Sequence, residues 1–145
     1  MQLRIAANSK IPCQNSGPLR DRIDIHFTVP AVENEKLAEA RQGESSKNIR
    51  ERVVRARQVQ EQRFRNSSSR NNSGMNRKEL ETHAELADSS RKILQQAMTK
   101  MGLSARAYDR ILKVARTIAD LASEQKIDTP HVAEAIQYRN LDRPV

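Results

Sequence analysis

The chain has 145 residues, 26 of them Lys or Arg against 18 Asp or Glu, a formal charge of +8, with 37% hydrophobic and 3% aromatic residues. Such a composition allows one small core, and with no Trp and two each of Phe and Tyr it predicts ordered helices beside disordered stretches. No apolar run approaches the roughly 18 residues of a membrane span and no apolar export segment precedes a small-residue cleavage site, so a soluble cytoplasmic protein is expected.

Residues 1–16 show no periodicity and lead into the turn-prone Gly17-Pro18, so they read as disordered; the lone Cys13 has no partner for an internal disulfide. Ile23, Ile25, Phe27 and Val29 then alternate with Asp24, His26 and Thr28 before Pro30, the period of a strand. Nothing else in the chain reads as β, so this strand is an orphan whose ladder belongs to a larger sheet, or else an extended, mobile segment. Residues 1–44 are therefore expected to be mostly disordered or extended.

Ser45 and Ser46 offer N-cap oxygens to a basic helix over 45–64, where Ile49, Val53, Ala56 and Phe64 share one side and Gln60 interrupts them. This apolar face is thin and has no evident partner within the chain. The Ser- and Asn-rich stretch 65–74 reads as a flexible linker without core-forming residues.

Four short helices are expected within 75–140, packed as a bundle: one from Met75 to Leu86, one after Asp88-Ser89-Ser90, one after Ser104, and one opening on Thr129-Pro130. The second carries Ile93, Leu94, Ala97, Met98 and Met101 and is closed by Gly102. The third has the clearest period, with Tyr108, Ile111, Leu112, Ala115, Ile118, Ala119 and Ala122 on one stripe. The fold class is all-α: a small helical bundle plus one basic helix, with a domain running over 75–143.

The positive charge is concentrated. Between Lys47 and Arg77 nine basic residues meet two acidic ones, an excess of +7 that suits polyanions or an acidic protein surface, although solvated helix faces are also Arg-rich. Arg50, Arg52, Arg55 and Arg57 are the candidate nucleic-acid contacts.

Catalytic motifs are missing. His26, His83 and His131 have no metal-ligand spacing, and the four glycines form no phosphate loop, nucleophile elbow or dinucleotide fingerprint. Arginine placement is more informative: at about 100° per residue, Arg106, Arg110 and Lys113 share a narrow arc opposite the Ile111/Ala115/Ala119 stripe. Arg106 sits in the first turn, against the helix dipole, where backbone N–H groups and a guanidinium together make a phosphate site. The ordinary alternative is solvated charge, partly compensated by Asp109 and Asp120. Arg22, ahead of the orphan strand, has the residue type of an arginine finger, but a local pairing with Asp21 or Asp24 explains it equally well.

Ser16-Gly17-Pro18-Leu19-x-Asp21-Arg22-Ile23-Asp24-Ile25, then Arg52-Val53-x-x-Ala56-Arg57-x-x-Gln60-x-x-Arg63, then the continuous block from Leu103 to Leu121 resemble the C-terminal portion of the magnesium-chelatase-like AAA+ ATPases, the YifB/ComM competence-protein group. The resemblance implies that the orphan strand ends a nucleotide-binding core and that the helices form the lid over ATP. It implies a sensor-2 role for Arg106 at the γ-phosphate, with Arg110 nearby, and an arginine-finger role for Arg22. It further implies ATP with Mg2+ as cofactor of a parent ATPase, a hexameric homo-oligomeric ring, the AAA+ core of the same parent as partner, and DNA as a substrate. The chain itself carries no phosphate loop, so it is expected neither to bind the cofactor alone nor to hydrolyse it. Two other readings compete: a stand-alone basic helical module for nucleic acid, and a protein-interaction module docking through the basic helix.

Overall fold

The computed structural model describes residues 23–27 and 43–139. Among these residues five α-helices follow in order, α1 Ser46–Arg63, α2 Arg77–His83, α3 Asp88–Met101, α4 Ala105–Leu121 and α5 Thr129–Gln137, with a 3-10 turn, Asn72–Gly74, ahead of α2. The all-α bundle of four helices and a preceding basic helix is thus the observed fold. Arg22, the rest of residues 1–22, and residues 28–42 lie outside the described residues.

Local chemistry sets the boundaries. Ser45 Oγ accepts from Asn48 N and caps α1, while Asn76 and Glu79 close a reciprocal capping box on α2. That box starts α2 two residues later than the apolar pattern of 75–86 implies, and α2 stops at His83 because Leu86 leaves the helix to make an isolated parallel bridge with Ile127. α3 ends where expected: Gly102 adopts a left-handed φ of 62°, and its N–H donates to the Met98 carbonyl. α5 begins at Thr129 itself, because the N-cap is Asp128, one residue before Thr129, and the Asp128 N–H donates to His131 Nδ1 at 3.0 Å.

α4 is the axis of the bundle. Ile111, Leu112, Ala115 and Ala119 are buried along its stripe and meet Leu94 of α3, Val132 and Ala135 of α5 and Leu80 of α2 in one core. Burying each of the larger aliphatics contributes about 1.5–3 kcal/mol. Small Ala115 and Ala119, both 0% exposed, let the neighbouring helices approach the axis closely.

Three expectations change. The stretch 65–74 is not empty of core residues: Asn72 is 1% exposed and Ser69 is buried, because hydrogen bonds to side chains of α1, α2 and α4 take the place of apolar contacts. The C-terminal half of α1 also has an internal partner, since Phe64 enters the core and meets the His83 ring edge-on at 5.7 Å. Gln60 continues the stripe instead of breaking it: it is buried and its Oε1 accepts from Asn72 N at 3.2 Å.

No strand forms within residues 23–27. Without a neighbouring strand the backbone bonds to the end of α5: His26 N donates to the Tyr138 carbonyl at 2.7 Å, and Arg139 Nη1 donates to the Ile23 carbonyl at 2.5 Å. The alternation is not carried into burial: His26 is buried, while Ile23, Asp24, Ile25 and Phe27 are all exposed.

Candidate functional site

Three features carry chemistry, and α4 links them. At its N-terminal end Arg106, Arg110 and Lys113 line one open cleft of about 360 Å³ together with Asp24, Ser73 and Asp109. The arc inferred from helical spacing is therefore one physical surface. Arg106 is exposed and makes no hydrogen bond or ion pair with the described residues. Arg110 is a hydrogen-bonded ion pair with Asp24, and Lys113 Nζ donates to the Ser73 carbonyl at 2.9 Å. Asp109 faces away toward Arg77 at 3.7 Å. Ser104 Oγ already accepts from Ala107 N, so the attraction of this helix end for an anion rests on side chains more than on backbone amides.

The same side of α4 changes character two turns on, where α1 and the 72–74 turn cover it. Arg63 reaches across with both terminal nitrogens to Asp120, at 2.6 and 2.7 Å, and also donates to Asn72 Oδ1 at 2.8 Å. Arg116 Nε donates to the same carboxylate at 3.1 Å, and its other nitrogens donate to the carbonyls of Gln125 and Glu124. Asn72 Nδ2 completes the set on Asp120 Oδ2 at 2.8 Å. Burial alone would push the Asp120 carboxyl up, but hydrogen bonds from Arg63 and Asn72 and the charges of Arg116 and Arg63 outweigh it and hold the pKa below the ordinary value. Asp120 is thus no counter-charge for Arg106; it is the joint between α1 and the bundle.

Sequence reasoning missed this joint. Its partners lie far apart in the chain, Arg63 and Asp120 being 57 residues from one another, and only Arg116 and Asp120, at the i,i+4 spacing, offered a local signal.

The third feature is the N-terminal half of α1, which extends past the bundle. Arg50, Arg52, Arg55 and Arg57 are all exposed, as are Ile49 and Val53. They do not form one patch: helical geometry sets Arg50 and Arg57 on one side and Arg52 and Arg55 on the other. Arg52 is further engaged by Glu44 in a two-pronged contact at 3.0 and 3.1 Å. The three histidines serve separate places: His26 lies under the 23–27 segment, His83 packs on Phe64, and His131 caps α5.

Residues 43–139 match the family described as magnesium chelatase, subunit ChlI C-terminal. The chain belongs to that family. The match takes in all five helices and every described cleft residue except Asp24. The chain is also similar to competence protein ComM of Haemophilus influenzae, 43% identical over 129 residues, which cover 88% of this chain and 25% of that protein. YifB of Salmonella typhimurium and YifB of Escherichia coli are each 35% identical over the same extent. The chain thus spans about a quarter of the length of the curated relatives it matches. Among its described residues, no helix is long and apolar enough to cross a membrane.

Proposed function

We propose that this chain is the lid of a ComM/YifB-type AAA+ ATPase, and that Arg106 is its sensor-2 residue, contacting the γ-phosphate of ATP held by the core of the parent protein. The observation that supports it is the cleft at the N-terminal end of α4: an exposed guanidinium without a protein partner among the described residues, beside Arg110 and Lys113. Two guanidiniums and an ammonium converging on one open cleft suit a polyphosphate. The chain has no phosphate loop of its own, so Mg2+ and the remaining phosphate contacts fall to the parent's core. In this reading the lid closes when ATP draws Arg106 inward and opens after hydrolysis, and Arg22 reaches the ATP of the next subunit in a hexameric cytoplasmic ring.

Arg106→Ala in the full-length parent tests it. ATP turnover should fall more than about tenfold, equivalent to about 1.4 kcal/mol of transition-state stabilisation, while stability stays within about 0.5 kcal/mol because the side chain is exposed. Turnover at the wild-type rate would remove the sensor role.

A second reading is favoured by the exposed half of α1, where Arg50, Arg55 and Arg57 stand clear of the bundle. It makes DNA the substrate handled by the parent, through phosphate contacts with little sequence preference, since Phe64 is buried and unavailable for stacking. Arg52 contributes less, because Glu44 already occupies it. Affinity for a DNA duplex should fall steeply as salt rises, and replacing Arg50, Arg55 and Arg57 should flatten that dependence. Absence of any DNA affinity at low salt would eliminate the reading and leave the lid assignment intact.

A further inference from the structure

The cleft beside Arg106 contains an acid that the lid assignment does not use. Asp24 comes from the short segment 23–27, 86 residues away from Arg110 in the chain, yet it pairs directly with the Arg110 guanidinium. The pairing is seated from behind: Arg139, 1% exposed, donates from Nη1 to the carbonyl of Ile23, and His26 N donates to the Tyr138 carbonyl. These two bonds fix the backbone on either side of Asp24 to the end of α5, and so fix where its carboxylate can reach. Asp109, the other acid of the cleft, is turned toward Arg77 instead.

We propose that Asp24 is a built-in competitor for the polyphosphate: it occupies Arg110 when the cleft is empty and is displaced when phosphate oxygens take that guanidinium. This rests on the reading of the cleft as a polyphosphate site. The physics is that of like charges sharing one cation. A carboxylate in contact with Arg110 neutralises part of the field that attracts a polyanion, and it repels the incoming phosphate at the short range where screening by salt is weak. Displacing it also loosens segment 23–27 from α5. Ligand binding and the docking of that segment on the lid are therefore antagonistic, and each reports on the other.

The test uses the full-length parent protein, whose core supplies the remaining phosphate contacts, and inorganic tripolyphosphate, compared between wild type, Asp24→Asn and Arg106→Ala. Asp24 is 48% exposed at its side chain, so its amide variant keeps the fold. Asp24→Asn should bind tripolyphosphate about three- to tenfold more tightly than wild type, whereas Arg106→Ala should bind more weakly. In wild type, saturating tripolyphosphate should speed hydrogen exchange at the His26 amide. Equal or weaker binding by Asp24→Asn, with wild type binding normally, overturns the role of Asp24 and leaves the polyphosphate site standing. Unchanged His26 exchange at saturation overturns the displacement. Binding by Arg106→Ala as tight as by wild type removes the polyphosphate site at the cleft, and the competitor with it.

Discussion

Asp120 accepts from three side chains at once, and its two arginine partners are left with little alternative. Replacing it by Asn would keep the shape but strand the buried charge of Arg116, 3% exposed, and the mostly buried charge of Arg63. Removing one member of such a buried set costs about 3–5 kcal/mol, so Asp120→Asn should lower the urea midpoint sharply or unfold the chain at room temperature. A loss under about 1 kcal/mol would mean that water, not Asp120, satisfies the arginines. The pH dependence follows from the lowered pKa of this carboxyl. A depressed folded-state value contributes stability that is fully present above the unfolded value of about 3.9 and is lost as pH falls through the folded value. Wild-type stability should therefore drop below about pH 4, as followed by urea unfolding at stepped pH, and a destabilised but folded Asp120 variant should show a shallower drop. Residue-level legibility was uneven. Arg106, Arg110 and Lys113 could be grouped because one helix carries all three, and a helix converts spacing into direction. Asp120 could not be assigned, because what decides its role comes from α1 and the 72–74 turn.

Among the described residues the left-handed backbone positions lie at helix ends. Gly102, at φ 62°, ends α3 without a side-chain penalty, whereas Ser123, also at φ 62°, follows α4 in a region that costs an L side chain roughly 1 kcal/mol. Open space surrounds the place where a Cβ on Gly102 would sit, so Gly102→Ala should be destabilised by about that conformational cost alone. Ser123→Gly should gain up to roughly the same amount, offset by the greater entropy of glycine in the unfolded chain. Thermal unfolding of the two variants checks the pair; a Gly102→Ala protein as stable as wild type would show that α3 can end without the left-handed residue. The elements themselves were largely readable from the sequence, since α3, α4 and α5 combine a clear 3.6 period with end signals at Gly102, Ser104 and Pro130. The segment at 23–27 was readable only as a pattern. Its alternation is real, but a strand needs a neighbour's ladder, and here the backbone bonds to the end of α5 instead. The stretch 65–74 misled for the opposite reason: Asn and Ser look like linker residues until a buried carboxylate and a capping glutamate give them partners.

At the scale of the whole molecule, α1 divides into a half that belongs to the bundle and a half that leaves it. Within α1, trypsin should accordingly cut first among Arg50, Arg52, Arg55 and Arg57, while Arg63, held by Asp120, stays protected and travels with the bundle. Early cleavage after Arg63 would show that the joint does not hold in solution. Composition had indicated a small core and a polar remainder, and that division is what the fold shows; which half of the basic helix would be anchored was not legible, because Gln60 and Arg63 do not look like core residues. The anchorage has a mechanical consequence. α4 carries the Arg106 cleft at one end and, about 21 Å further along its axis, the Asp120 joint to α1. From the joint α1 runs out to Ser46, a further length of about 25 Å at 1.5 Å per residue. Because the joint is buried and hydrogen-bonded, a turn of the bundle at the cleft end is carried through α4 and the joint into the arginine-bearing outer half of α1.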